Sequence, residues 1–241
     1  MFKLIIAAIL IVTVRAVDFE IRNNDGGDIW IGIQGNPGKE NLANGGFILG
    51  SKQSRTLKAA ADWAGRFWAR TWCNPSTGFC LTGDCGGKLE CQGAGGVPPA
   101  SLAEITLGGA GGLDYYDLSF VDGFNIVLTF EPVDGAGDGS QYSCKRASCS
   151  FHLNDECPSA LRVNSEHGVV ACKSACAAFD TDEYCCRNAH DRPETCRSSD
   201  WPVDYPYYFK SHCPDAYSYA YDDNKSTFTC RAQKYLITFG G

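Results

Sequence analysis

The stretch Thr77–Cys91, TGFCLTGDCGGKLEC, decides the fold. It holds three cysteines and four glycines in fifteen residues. The spacing Cys80-x4-Cys85-x5-Cys91 lacks the paired short spacings of zinc ribbons, and no histidine lies near it. No C-x-x-C dithiol occurs anywhere in the chain, which disfavours thiol exchange chemistry. The stretch is therefore interpreted as a loop held by disulfides, and not as a metal site or a redox centre.

The first sixteen residues, MFKLIIAAILIVTVRA, predict a secretory signal peptide. Lys3 precedes an apolar run over residues 4–14, and small Ala16 suits a cleavage position. The run is short for a membrane span, which takes about 20 apolar residues. Fourteen cysteines, an even number, then predict a disulfide framework in an extracellular protein.

The net charge of the mature chain limits which classes of partner are expected. Loss of residues 1–16 removes Lys3 and Arg15, which leaves 19 basic and 28 acidic residues and a formal charge of −9. This balance argues against nucleic acid and makes a membrane partner unexpected, because both are bound through Lys and Arg. The four histidines are scattered, and no nucleotide-binding or serine-hydrolase motif occurs. We expect a monomer without metal or cofactor.

Alternating apolar residues predict an all-β region of many short strands, most simply a sandwich. A turn signal, Asn24-Asp25-Gly26-Gly27, separates the first two segments. The segments are DFEIR (18–22), DIWIGI (28–33), 47–57, RFWARTW (66–72), FNIVLTF (124–130), STFTC (226–230) and KYLITF (234–239).

The alternation fades between about residues 144 and 213, where nine of the fourteen cysteines fall. We interpret this part as a subdomain held by disulfides, with a short helix within VVACKSACAAF (169–179). Adjacent Cys185 and Cys186 are expected to bond in different directions, because a bridge between neighbours strains the backbone.

Several motifs occur in one order: WAGRFWARTWC, GFCLTGDCGGKLEC, PPASLAEITL, LDYYDLSFVDGFN, EYCCR and CPDAYSY. In this order they resemble the thaumatin-like proteins of pathogenesis-related group five. The resemblance covers nearly the whole mature chain. Ser76 departs from the family signature, which usually has a glycine there.

The resemblance implies an architecture. A flattened β-sandwich comprises residues 17–70, 100–150 and 214–241. A small stapled loop, 71–99, packs on one side, and a disulfide-rich, partly helical subdomain, 151–213, packs on the other. A cleft lies between the sandwich and the subdomain.

The resemblance also implies the disulfide pairing. The long form of the family has eight bridges, and this chain lacks both partners of the one that joins the termini. Asp25 and Gly240 stand near the two missing positions. Strand pairing must therefore hold the termini together. The remaining pairs are Cys73–Cys80, Cys85–Cys91, Cys144–Cys230, Cys149–Cys213, Cys157–Cys172, Cys176–Cys185 and Cys186–Cys196.

Family members with an acidic cleft line it with one arginine and four acids. By motif, these fall on Arg66, Glu104, Asp117, Asp122 and Asp222. Two positions stay open, because Arg70 shares a strand face with Arg66 and Asp223 adjoins Asp222. Ala220 also stands where the family usually has a proline. Candidate aromatic walls are Tyr115, Tyr116, Phe120, Phe124 and Tyr219.

Converging carboxyls suit glycoside hydrolysis, which needs one protonated acid and one ionised partner. Mutual repulsion raises the pKa of at least one acid in such a group. We expect Glu104 to be the general acid and Asp122 the base or nucleophile.

The function implied is a secreted defence protein that binds β-1,3-glucan, with weak endo-β-1,3-glucanase activity as the enzymatic interpretation. The alternatives are a non-catalytic glucan-binding protein and a membrane-perturbing antifungal protein. Asn224, in Asn224-Lys225-Ser226, is the candidate glycosylation site.

Overall fold

A computed structural model describes residues 16–222 and 226–241. The predicted signal peptide, except Ala16, lies outside the described residues, and so do Asp223 and the sequon residue Asn224. Within the described ranges, no helix has the length and apolar character needed to cross a bilayer.

The described residues form fifteen strands and two α-helices. The first strands are β1 Ala16–Asn23, β2 Ile29–Gly35, β3 Gly46–Leu49, β4 Ser54–Ala60, β5 Ala64–Cys73, β6 Cys80–Thr82, β7 Leu102–Thr106 and β8 Asp114–Ser119. The later strands are β9 Leu128–Val133, β10 Ala147–Cys149, β11 Arg162–Ser165, β12 Gly168–Cys172, β13 Ala216–Tyr217, β14 Phe228–Cys230 and β15 Lys234–Phe239. The helices are α1 Ala175–Phe179 and α2 Tyr205–His212.

Two large sheets dominate. One has the strand order β10-β9-β15-β1-β4, and the other has the order β13-β8-β7-β5-β2-β3. Strand β14 also pairs with β8, and β6 pairs with β5. Strands β11 and β12 form a separate hairpin. The predicted all-β class is confirmed, and both helices lie within the predicted subdomain.

The two sheets pack face to face through aromatic rings. Phe19 of β1 lies 5.0 Å from Phe67 of β5, and Phe130 of β9 lies 5.3 Å from Tyr116 of β8, between ring centroids. All four side chains are fully buried. Because aromatic side chains bury large apolar areas, these contacts form the centre of the sandwich core.

Local sequence predicted the early strands but not which sheet each one joins. The turn after Asn23 connects two strands of different sheets. Strand β1 pairs with β15 and β4 in one sheet, whereas β2 pairs with β5 in the other. The predicted segment 47–57 divides into β3 and β4, which also belong to different sheets.

The predicted strand at 124–130 begins only at Leu128. Before it, Phe124 makes a single bridge to Cys172. Side chains satisfy the polar groups in this part: Ser101 Oγ donates to the Ile126 carbonyl at 2.8 Å. At Asn125 and Ile126, the hydrogen bonds that a strand partner would supply come from this side chain instead.

The helix predicted within 169–179 is shorter than that segment. Strand β12 takes the first part, and α1 begins after Ser174, whose Oγ accepts from Ala177 N at 3.1 Å. This N-cap fixes the helix start, because it satisfies a backbone donor that has no partner inside the helix.

The seven disulfides are the seven pairs that the resemblance implies. In the opening stretch, the buried Asp84 carboxylate accepts 2.9 Å hydrogen bonds from the backbone of Cys80, Gly86 and Gly87. Arg70 donates from β5 to carbonyls of the same loop, Lys88 at 2.5 Å and Leu89 at 2.6 Å. The stretch is therefore scaffold.

Candidate functional site

Three charged side chains lie in one row across the larger sheet. Arg66 of β5 stands opposite Glu104 of β7, and Glu104 stands opposite Asp117 of β8. Directly opposed residues project from the same face of a sheet. Their chain neighbours Phe67 and Leu118 are buried in the core, so the charged row lies on the outer face.

A second row lies two residues further along the same strands. Leu102 of β7 stands opposite Ser119 of β8, which pairs in turn with Tyr217 of β13. The two rows form the floor of a cavity of about 330 Å³, which we call the acidic pocket. Its lining is Arg66, Leu102, Glu104, Asp117, Ser119, Val121, Asp122, Tyr217 and Ala220.

The turn after β8 brings Asp122 to the pocket. Gly123 N donates to the Phe120 carbonyl at 2.8 Å, and Ala100 N donates to the Asp122 carbonyl at 3.2 Å. Gly123 has φ +91°, and a Cβ there would lie 2.7 Å from the Cys172 carbonyl oxygen. Only glycine fits both the backbone conformation and the space, so the turn depends on it.

Burial and charge set the acid chemistry of the pocket. Arg66 Nη2 lies 3.3 Å from Glu104 Oε1, and the two side chains are 35% and 30% exposed. Burial raises the pKa of Glu104, nearby Asp122 raises it further, and Arg66 opposes both effects. Burial also raises the pKa of Asp122, although the positive charge of Arg66 acts to lower it. Both carboxyls therefore hold their protons to higher pH than ordinary acids do.

The model of the thaumatin family matches residues 23–241. The chain belongs to the thaumatin family. Pathogenesis-related protein 5 of Arabidopsis thaliana is 53% identical over 231 residues, which cover 95% of this chain and 92% of that protein. Pathogenesis-related thaumatin-like protein 3.5 of Cryptomeria japonica is 48% identical over 227 residues, with 93% and 90% covered.

Two solved structures share the fold of this thaumatin-family chain. One is a laminaripentaose-producing β-1,3-glucanase in complex with laminaritetraose, with a TM-score of 0.59, 11% identity, and 94% of this chain and 99% of that chain covered. The other is a family 64 laminaripentaose-producing β-1,3-glucanase from Paenibacillus barengoltzii complexed with laminarihexaose. It has a TM-score of 0.59 and 12% identity, with 95% of this chain and 76% of that chain covered. At these identities the likeness shows a common fold alone.

Four of the five residues implied by the family resemblance meet in the acidic pocket, and Asp222 is not among its lining residues. The Asp222 carboxylate lies 3.0 Å from Lys210 Nζ of α2 and accepts from Ser218 N at 3.0 Å and Ser218 Oγ at 2.7 Å. Asp222 therefore fixes the segment that carries the pocket residues Tyr217 and Ala220. Of the two arginines left open, Arg66 lines the pocket, whereas Arg70 is fully buried against the stapled loop.

The structure places the candidate aromatic walls elsewhere. Tyr116, Phe120 and Phe124 are buried in the sandwich core, and neither Tyr115 nor Tyr219 lines the acidic pocket. Instead the pocket is lined by an aromatic residue that sequence reasoning missed, Tyr217, whose hydroxyl is hydrogen-bonded to Thr227 Oγ1. A two-residue strand shows no alternation, so only its pairing with β8 reveals this position.

The described ranges contain no cluster of side chains suited to binding a metal ion. There, no group of three or more histidine, cysteine, aspartate or glutamate side chains is arranged to hold a metal ion.

Proposed function

We propose that this thaumatin-family protein is secreted and binds β-1,3-glucan in its acidic pocket, where Glu104 and Asp122 hydrolyse the polymer weakly. The role is antifungal defence. The observation that carries the proposal is the charged row of Arg66, Glu104 and Asp117, joined by Asp122 at one pocket on the outer sheet face.

The pocket offers the groups that a neutral polysaccharide needs. Carboxylates accept hydrogen bonds from sugar hydroxyls, and the Arg66 guanidinium donates to sugar oxygens. The volume of about 330 Å³ falls in the range of small-ligand pockets, about 300–1,000 Å³. When all are ionised, three acids against one arginine leave the pocket negative, which favours a neutral polymer over an anionic one.

Hydrolysis needs a proton donor beside an ionised carboxylate. The raised pKa of Glu104 keeps it protonated at higher pH, so that it can donate to the glycosidic oxygen. The Glu104 carboxylate left behind is stabilised by Arg66, whose Nη2 lies 3.3 Å away. Asp122 acts when ionised, as the base that activates water or as the nucleophile. Its own raised pKa shifts that ionised form to higher pH than for an ordinary aspartate.

The fold comparison supports a glucan ligand in one respect. Two proteins with this fold carry β-1,3-glucan oligosaccharides in their solved structures. The fold is therefore compatible with an extended β-1,3-linked ligand.

The test uses the purified full-length mature protein with laminarin. Calorimetry measures binding, and a reducing-end assay measures cleavage. We expect Glu104→Gln to abolish release of reducing ends and to retain binding, because glutamine keeps hydrogen-bonding groups but cannot donate an acidic proton. Glu131→Gln on β9 of the other sheet is the matched control and should leave both unchanged.

Each result has one interpretation. Binding by wild type without cleavage would assign the non-catalytic alternative. Neither binding nor cleavage would overturn the proposal. Dye leakage from glucan-free vesicles, with no laminarin binding, would favour the membrane-perturbing alternative.

A further inference from the structure

A second, smaller cavity adjoins the acidic pocket. It shares Val121 and Ala220 with that pocket, and we call it the aromatic pocket. The remaining lining comes mostly from the disulfide-rich part of the chain. It includes Ser174, Ala175, Tyr184, Trp201, Ser218 and Tyr219.

The walls of the aromatic pocket are largely apolar. The Trp201 ring packs edge-on against Tyr184 at 5.0 Å and Tyr219 at 5.5 Å between centroids. The two serine hydroxyls of the lining are already engaged. Ser174 Oγ accepts from Ala177 N at 3.1 Å, and Ser218 Oγ donates to Asp222 at 2.7 Å.

Trp201, whose side chain lines this pocket, carries a buried donor without an acceptor among the described residues. Trp201 is only 7% exposed, and its Nε1–H finds no hydrogen-bond partner among the described residues. A buried donor without a partner is costly, so such a group points to an acceptor supplied from outside the chain.

The volume of the aromatic pocket limits which chemical group can carry that acceptor. Its volume is about 40 Å³, which is more than one water molecule needs and far less than a pocket for a whole sugar ring offers. The occupant is therefore a small group with an apolar part and one acceptor oxygen, attached to a ligand that reaches in from the acidic pocket.

A hydroxymethyl group has this composition. In β-1,3-glucan, the 6-hydroxymethyl group of each glucosyl unit takes no part in the linkage and projects from the ring. We propose that the aromatic pocket receives the 6-hydroxymethyl group of a glucosyl unit bound in the acidic pocket, with Trp201 Nε1–H donating to O6. This inference rests on the proposed function, and it makes Trp201 a specificity-determining residue.

The consequence is discrimination between hexose and pentose polymers. A site that hydrogen-bonds a substrate hydroxyl disfavours an analogue without it, because the buried donor is then left unpaired. A β-1,3-linked xylohexaose has the same backbone as laminarihexaose but lacks the hydroxymethyl groups, so the two hexaoses form a matched pair of probes.

The experiment measures the affinity of the mature protein for both hexaoses by calorimetry. Wild type should bind laminarihexaose about tenfold more tightly than β-1,3-xylohexaose. Trp201→Phe removes the donor, and Ala175→Val fills the pocket while leaving Trp201 in place. Both should lower the ratio to about one, chiefly by weakening laminarihexaose. Ala177→Val on the same helix, outside the pocket lining, is the control and should keep the wild-type ratio.

Equal affinity of wild type for the two hexaoses would overturn this inference and leave the proposed function standing. An unchanged ratio in both Trp201→Phe and Ala175→Val would also overturn it. Ala175→Val keeps the test valid if Trp201→Phe does not fold. Failure of wild type to bind either hexaose would overturn the proposed function and this inference together.

Discussion

Gly240 lies directly against Asp25: a Cβ on Gly240 would stand 2.7 Å from the Asp25 Cβ. By resemblance, these two residues mark the places where the family has its terminal disulfide. Backbone hydrogen bonds hold the same contact, since Asn24 N donates to the Phe239 carbonyl at 2.7 Å and Gly240 N donates to the Val127 carbonyl at 3.0 Å. The parallel pairing of β1 with β15 ends at this contact. Backbone hydrogen bonds, and not a disulfide, therefore hold these two segments together.

Gly240→Ala should therefore destabilise the protein. Gly240 has φ +84°, and alanine pays about 1–2 kcal/mol for a left-handed backbone before any steric contact is counted. The contact with Asp25 should add to this, giving about 2–4 kcal/mol in urea unfolding with the disulfides intact. Gly139→Ala is the matched control, because Gly139 has φ +80° and no atom of the described chain within 4 Å of its Cβ position. Equal losses in the two variants would show that the contact at the termini contributes nothing.

Glu104 should make stability depend on pH in a defined direction. Its pKa is raised in the folded protein, mainly by burial, above the ordinary value of 4.5. As pH rises from 4.5 through the raised value, the unfolded chain loses this proton first, so wild type loses stability across that window. Glu104→Gln removes the titration and should gain stability relative to wild type as pH rises through the same window. Urea unfolding at a series of pH values measures this difference.

Asp62→Asn provides a control of opposite sign. The hydrogen bond from Lys39 lowers the pKa of Asp62 below its ordinary value of 3.8. The stability contributed by Asp62 is present above pH 3.8 and is lost as pH falls through the lowered value. A Glu104→Gln difference that stays flat, or that reverses sign, would contradict the burial argument for the acidic pocket.

Strand positions could be predicted from sequence because alternation is a local property. The turn at 24–27 indicated a reversal of the chain, but nothing local shows that β1 pairs with β15 at the far end of the sequence. The segment 124–127 alternates like a strand, yet the backbone groups of Asn125 and Ile126 in its middle are hydrogen-bonded to the Ser101 side chain and not to a neighbouring strand. Pairing partners depend on long-range contacts, which a single sequence does not display.

The site shows the same division. Motif resemblance implied Arg66, Glu104 and Asp117, and the sheet register explains why they meet. Asp222 lies outside the pocket, and its carboxylate is paired with Lys210 of helix α2. An acidic residue in a pocket and an acidic residue in an ion pair look the same in the sequence. The sequence alone therefore could not separate the two roles. Tyr217 carried no local signal.

The Lys210–Asp222 ion pair should position the pocket wall without contacting the ligand. The two side chains are 23% and 16% exposed, and Lys210 Nζ also donates to Ser226 Oγ at 2.6 Å. We expect Lys210→Met and Asp222→Asn to show a coupling energy of about 1 kcal/mol in a double-mutant cycle of stability. Each should weaken laminarin binding severalfold, and the double variant should be no weaker than the worse single one. Lys210→Arg should restore binding. Additive losses would instead indicate that Asp222 contacts the glucan itself.

Gly123→Ala should damage the pocket through the position of Asp122. The new Cβ would meet the Cys172 carbonyl oxygen at 2.7 Å and Pro99 Cβ at 2.8 Å, at φ +91°, so the turn must shift. Because Asp122 immediately precedes this glycine, we expect at least a tenfold loss of laminarin cleavage together with about 2–4 kcal/mol of stability. Gly168→Ala, at φ +89° with no atom of the described residues within 4 Å of the Cβ position, carries the backbone strain alone and should retain cleavage. Full cleavage by a destabilised Gly123→Ala would remove Asp122 from the reaction, since a displaced carboxyl cannot activate water or attack at the original geometry.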